Sequence, residues 1–145
     1  EIIQNIKEHG YLILNADDSF YNFHKKIALK RKISVLSFSI KNKSSNIYLN
    51  SIKKEKLKYK ISITIDNTNK FFYLNTCFES DIKNLLASIV AISIYKNIDK
   101  LDCNFFYNNK IPIGRGDISK IKLFKKKFYL IDQSYNSNPL SLKSA

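Results

Sequence analysis

Asp132-Gln133-Ser134-Tyr135-Asn136-Ser137-Asn138-Pro139-Leu140-Ser141-Leu142 follows directly on a short apolar run, Phe128 to Ile131. An apolar run of that length giving way to a polar turn reads as the carboxyl end of a buried strand. Pro139 to Ala145 then reads as the start of a helix. In open α/β sheets, ligands sit outside the carboxyl ends of the strands. Five side chains able to hydrogen-bond within seven positions (Asp132, Gln133, Ser134, Asn136 and Asn138) suit a ligand-reading loop there. The same residue types also make an ordinary Asn/Ser/Pro turn.

Working back from that loop, Ile118 to Phe124 and Lys127 to Ile131 read as two strands, and Leu101 to Tyr107 as a short helix or a turn. Asp81 to Lys96 carries Leu85, Leu86, Ile89, Val90, Ile92 and Ile94 at helical spacing and predicts an amphipathic helix. Asn46 to Ile52, Leu57 to Ile65 and Lys70 to Thr76 alternate apolar and polar residues, as half-buried strands do, with Asp66-Asn67-Thr68-Asn69 as a hairpin turn. Nearer the start, Tyr11 to Leu14 reads as a buried parallel strand and Ser19 to Leu29 as a helix with Phe20, Phe23, Ile27 and Ala28 on its apolar face. Ile33 to Ile40 reads as the next strand, which makes a βαβ crossover. Glu1 to Lys7 reads as the last turns of a helix, with Gly10 in the stop position. The expected class is α/β: a partial parallel sheet flanked by helices, with an antiparallel β insertion packed beside it.

At 145 residues the chain is one domain by length, and 44% hydrophobic residues argue against disorder. No run approaches the roughly 18 apolar residues of a spanning helix. Leu85 to Tyr95, the longest, is interrupted by Ser88 and Ser93. Cys77 and Cys103 lack partners at metal spacing and are expected to be reduced, buried thiols in a cytoplasmic chain. The net charge of +13 invites a nucleic-acid partner, but of 25 basic residues only Arg31 and Arg115 are arginine, the residue that reads bases and phosphates by its fixed fork. Abundant Lys, Asn and Ile beside three Gly fits an AT-biased coding sequence, so no nucleic acid is expected.

Two further motifs bear on chemistry. Gly114-Arg115-Gly116 puts a guanidinium, able to grip phosphate oxygens in pairs, between two of the three glycines; a tight surface turn is the plainer reading. Asn84, on the expected helix, carries an amide that offers a donor and an acceptor to a base edge, and would otherwise be a polar residue on an exposed face. Asp17 and Asp18 are weighed as metal ligands or an acid/base pair against turn and N-cap residues, and the turn role is preferred. His9 and His24 are isolated, with His24 on the polar side of its helix, and neither is assigned a role. No metal site is assigned, and no G-x-x-x-x-G-K-[ST] phosphate loop is present.

In order, these residues resemble the Mur ligase family. The opening segment is similar to the D-D-S-Y-N-A-N-P-x-S-M signature of the branch that adds D-alanyl-D-alanine to the cell-wall precursor. Asp132, Ser134, Tyr135, Asn136, Asn138, Pro139 and Ser141 match, while Gln133, Ser137 and Leu142 depart. Asn15-Ala16-Asp17-Asp18 resembles the family's N-A-D-D/N turn, and Gly114-Arg115 its P-G-R motif. Glu79 to Ala87 resembles its G-x-H-N/M-x-x-N-x-L-A helix start, with Phe78 replacing the Gly and Ser80 the His.

The resemblance implies a fragment, residues 1–145, of the central ATP-binding domain of P-loop type. The phosphate loop, the amino-terminal UDP-sugar domain and the carboxyl-terminal domain are expected elsewhere in a parent enzyme. It implies Arg115 as the catalytic residue facing the terminal phosphate, and Asn84, Gln133, Asn136 and Asn138 as nucleotide contacts. Gln133 replaces an Asp, so that contact would be weaker. ATP and Mg2+ would be the cofactors, with the metal ligands upstream. UDP-N-acetylmuramoyl-tripeptide and D-alanyl-D-alanine would be the partners of a cytoplasmic, monomeric enzyme. The rival readings are a non-catalytic basic domain that binds RNA or an anionic surface, and a decayed ligase.

Overall fold

The computed structural model describes residues 2–108, Gly114, 117–132 and Tyr135. Arg115, Gln133, Asn136, Asn138 and the helix expected from Pro139 lie outside the described residues. The chain falls into two compact units, Glu1–Asn108 and Asn109–Ala145.

In the first unit, β1 (Tyr11–Asn15), β2 (Ser34–Ser39), β3 (Ile47–Glu55), β4 (Lys58–Ile65) and β5 (Thr68–Leu74) form one sheet in that order. Helix α1 (Tyr21–Lys30) links β1 to β2 in parallel, as the pattern predicts, and α2 (Glu79–Ser93) follows β5. The antiparallel insertion does not pack beside the parallel strands but continues them. β3 runs parallel to β2 through Phe38↔Ile47 and Ser39↔Tyr48, then turns antiparallel to β4, which pairs antiparallel with β5. A parallel connection this short is possible because β3 starts alongside the end of β2 and need not return along its length.

Local chemistry sets the ends of these elements. Asn15 Oδ1 accepts from the Asp17 N–H (3.0 Å) and Asp18 Oδ1 from the Phe20 N–H (2.8 Å). These Asx turns hold the chain out of the helix until Tyr21, two residues beyond the expected start at Ser19. α1 ends in a Schellman motif: Ile33 N–H donates to Ala28 O (3.0 Å), Lys32 N–H to Leu29 O (3.0 Å), and Lys32 takes the left-handed φ of 55° usually given to glycine. The covered face of α1 runs through Tyr21, His24, Ile27 and Ala28. Phe20 and Phe23 are exposed, and His24 lies half-buried with its ring 5.5 Å from that of Phe23, not on the polar side expected from sequence. In the β4–β5 turn, Asp66 (φ 46°) and Asn67 (φ 63°) supply the pair of left-handed residues of a type I′ hairpin.

The helix expected over Glu1 to Lys7 is reduced to a 3-10 turn, Ile2–Asn5. The Arg31 guanidinium donates to the carbonyls of Ile3 and Ile6, which a continuing α-helix would have used itself. Nor is Gly10 the left-handed stop residue; His9 is, at φ 62°, with its N–H on Lys32 O (3.1 Å). Gly10 is required for space. A Cβ there would lie 2.7 Å from Ile6 Cγ2 and 2.9 Å from the Lys7 carbonyl oxygen.

The core lies between the sheet and α2. Ile47, Ile61, Ile63, Ile65 and Phe72 meet Ile82, Leu85, Leu86, Ile89 and Val90. Leu101 to Tyr107 forms turns, and the Cys103 carbonyl accepts from Tyr73 N–H (2.8 Å), shielding the β5 edge. Cys77 and Cys103 are free and half-buried, not fully buried as expected.

In the second unit, β6 (Asp117–Leu123) and β7 (Lys126–Asp132) form an antiparallel hairpin. The strand expected over Lys127 to Ile131 is present, but the expectation that Phe128 to Ile131 is buried is corrected. A two-residue connection, Phe124 (φ 48°) and Lys125 (φ 63°), imposes antiparallel pairing. Phe128, Tyr129, Leu130 and Ile131 are exposed.

Two substitutions test these assignments by urea unfolding. Gly10→Ala should destabilise by about 1–3 kcal/mol, since the backbone carbonyl of Lys7 cannot move aside as a side chain would. Replacing Phe124-Lys125 by Asn-Gly should stabilise the hairpin by about 1 kcal/mol by relieving two left-handed residues. Unchanged midpoints would refute the respective geometry.

Candidate functional site

The carboxyl ends of β1 and β2 are joined by a carboxylate. Asp17, just past β1, accepts from Ser39 Oγ (2.5 Å) and from the backbone N–H groups of Ile40 (2.6 Å) and Lys41 (3.3 Å). Ser39 Oγ in turn accepts from the N–H groups of Lys41 (2.9 Å) and Asn42 (2.5 Å). Three backbone amides that would otherwise be orphaned at a strand end are thus satisfied by two side chains, which are also bonded to each other. Further along the loop, Asn46 Oδ1 accepts from the N–H (2.8 Å) and Oγ (3.0 Å) of Ser37. Asp17 and Asp18 do not act as a pair, because each carboxylate is turned to different amides. Among the described residues, no three His, Cys, Asp or Glu side chains cluster to hold a metal.

Partial burial pushes the Asp17 carboxyl up, but the hydrogen bonds from Ser39, Ile40 and Lys41, with the Lys41 charge, outweigh it and hold the group below the usual aspartate range. α2 begins beside this clasp. Asp81 accepts from the Phe78 N–H (3.2 Å), which closes half of a capping box, and Glu79 pairs with Lys83 at 2.7 Å. Lys83, by hydrogen bond and by charge, holds the Glu79 carboxyl low; Lys41 acts in the same direction and Asp17 against it. Asp17 and Lys41 are therefore within electrostatic reach of the first turn of α2. One turn further on, Asn84 is exposed, and its amide is free of partners within the described residues.

The second unit contributes a separate piece of geometry. The register of β6 and β7 pairs Asp117 with Asp132 at the end of the hairpin. Tyr135 N–H donates to Gly114 O at 2.9 Å, with Gly114 buried at φ 78°. Two motifs that the sequence separates become neighbours at their described residues. Of the sequence-selected site residues, Asn84 is described, while Arg115, Gln133, Asn136 and Asn138 are not. Sequence reasoning missed Ser39. Its one signal is a hydroxyl ending an apolar strand, and nothing local links it to a carboxylate 22 residues earlier.

The profile of the Mur ligase middle domain matches residues 1–92. The UDP-N-acetylmuramoyl-tripeptide–D-alanyl-D-alanine ligase of Buchnera aphidicola subsp. Baizongia pistaciae is 29% identical over 143 residues, which cover 98% of this chain and 30% of that protein. Among solved structures, MurF from Acinetobacter baumannii superposes with a TM-score of 0.76 at 18% identity over 99% of this chain and 30% of its own. MurF ligase from Thermotoga maritima in complex with ADP gives 0.74 at 17% identity, over 99% and 31%. The chain spans about 30% of the length of these relatives.

The Asp17 geometry makes a signed prediction. Because its folded pKa is depressed, the ionised group contributes stability that is fully present above the ordinary aspartate value of about 4. That contribution is lost as pH falls through the depressed value. Asp17→Asn should cost about 1–2 kcal/mol at pH 7 and leave a flatter stability profile below about pH 4 than wild type. Parallel wild-type and variant urea midpoints from pH 7 to 3 would refute it.

Proposed function

The chain belongs to the Mur ligase family, and from that membership we propose that residues 1–145 are part of the central, ATP-binding domain of an enzyme joining D-alanyl-D-alanine to UDP-N-acetylmuramoyl-tripeptide. The observation that carries this reading is the hydrogen bond from Tyr135 N–H to Gly114 O. It brings together the segment resembling the D-alanyl-D-alanine-adding branch and the segment resembling the family's arginine motif.

In the proposed reaction, the terminal carboxylate of the tripeptide attacks the terminal phosphorus of ATP, giving an acyl phosphate and ADP. The amine of the dipeptide then attacks the acyl carbon, the amide forms, and phosphate and a proton leave. Arg115 is assigned to the migrating phosphoryl group, where a fixed bidentate cation stabilises spreading negative charge. Asn84, Gln133, Asn136 and Asn138 are assigned to the adenosine side. The free, exposed amide of Asn84, in the amino-terminal half of α2, suits a purine edge. Gln133 would accept from a hydroxyl without the charge of an aspartate. The described residues offer no cluster that fits Mg2+, and its ligands are assigned to other parts of the parent. The parent is placed in the cytoplasm as a monomer, and its product would serve cell-wall assembly, cell shape and division. This fragment alone should lack ligase activity and bind ATP feebly.

The test is ADP release by the full-length parent with both substrates present. Wild type should turn over, and Arg115→Ala should lower kcat by about 10³-fold or more. Turnover unchanged in the variant would remove Arg115 from the mechanism; no substrate-dependent ADP release by wild type would refute the ligase reading.

A further inference from the structure

We infer that Asp17 is a positioning residue for nucleotide binding: its clasp on the end of β2 sets the first turn of α2 and, through it, Asn84. This rests on the nucleotide role proposed for Asn84. The link runs through Ile40. Its backbone N–H is held by Asp17 Oδ2 at 2.6 Å, while its side chain packs against the core that holds Ile82, Leu85 and Leu86 of α2. The residue tied to the β1 tip therefore packs against the same core as the amino-terminal half of α2. A second link is electrostatic. The clasp fixes the backbone of Lys41 by two acceptors, Asp17 Oδ1 (3.3 Å) and Ser39 Oγ (2.9 Å), and Lys41 and Asp17 both act on the Glu79 carboxylate in that first turn.

Asp17 does more here than complete its own turn. The local turn is already closed by Asn15 Oδ1 on Asp17 N–H and by Asp18 Oδ1 on Phe20 N–H. The Asp17 carboxylate is spent entirely on residues 39 to 41, across the edge where α/β sheets receive ligands. Ser39, with no exposed surface, extends its reach to Asn42. An amide at position 17 would turn an NH2 group toward donors and break the clasp without changing its volume.

The experiment compares wild type, Asp17→Asn, the milder Ser39→Ala, and Gly10→Ala as a destabilised control remote from this edge, all in the full-length parent. Asp17→Asn should raise the KM for ATP about tenfold with kcat within twofold, Ser39→Ala should raise it severalfold, and Gly10→Ala should lower the melting temperature with KM unchanged. An ATP KM in Asp17→Asn equal to wild type, or one raised equally by Gly10→Ala, overturns the inference while leaving the ligase reading intact. Amide hydrogen exchange gives a readout independent of turnover. Asp17→Asn and Ser39→Ala should speed exchange in residues 40–42 and also in residues 81–84, and acceleration confined to 40–42 would overturn the positioning role.

Discussion

The burial of α2 on the sheet is the constraint on which the rest of the first unit depends. Ile61, Ile63, Leu86 and Ile89 are fully removed from solvent, and Ile47, Phe72, Ile82, Leu85 and Val90 nearly so. Each such side chain is worth about 2 kcal/mol against exposure, so the helix has one seat and one axial position. β1, β2 and β3 approach the helix most closely, while β4 and β5, which carry none of the residues assigned to chemistry, add Ile61, Ile63, Ile65 and Phe72 to the core beneath it. The antiparallel strands thus act on function at a distance. They share one core with α2, whose amino-terminal turn carries Glu79, the carboxylate on which Lys41 and Asp17 act.

At that edge the fold meets its usual difficulty, a row of strand-end amides with nothing regular left to accept them. Asp17 and Ser39 answer it jointly, with one ionised and one neutral side chain. An acid here is favourable for a second reason, because the chain carries 25 basic residues against 12 acidic ones. Part of the positive charge has a local structural use. Lys58 Nζ stands 3.3 Å from the centroid of the Tyr73 ring and Lys60 Nζ 4.1 Å from that of Phe71, on the outward face of β4 and β5. Lys70 pairs with Asp99, and Lys83 with Glu79. These lysines are held on aromatic faces and in ion pairs.

Where sequence reasoning failed, some causes were tertiary and others lay in short-range backbone geometry. Glu1 to Lys7 has helical character, yet the Arg31 guanidinium takes the carbonyls of Ile3 and Ile6. Gly10 looked like a helix stop, but its lack of a side chain serves close passage over Lys7, while His9 takes the left-handed conformation. Phe128 to Ile131 looked like a buried strand because an apolar run of that length discloses neither its pairing nor what covers it. The two-residue turn before it settles the matter as a hairpin, and Phe124-Lys125 lacks the Asn or Gly that would have announced it.

Local patterns in the chain were enough to determine the βαβ start, the three alternating strands, the α2 helix and its apolar face, and the family. Periodicity and short-range turn chemistry are properties of neighbouring residues, and a motif's order survives without any knowledge of space. Three things were decided by the tertiary structure: that the antiparallel strands continue the parallel sheet, that Asp17 spends its carboxylate on the end of β2, and that Tyr135 hydrogen-bonds to Gly114. Each depends on which distant segments the packing and register bring within about 3 Å, the reach of a hydrogen bond. No local pattern encodes that distance.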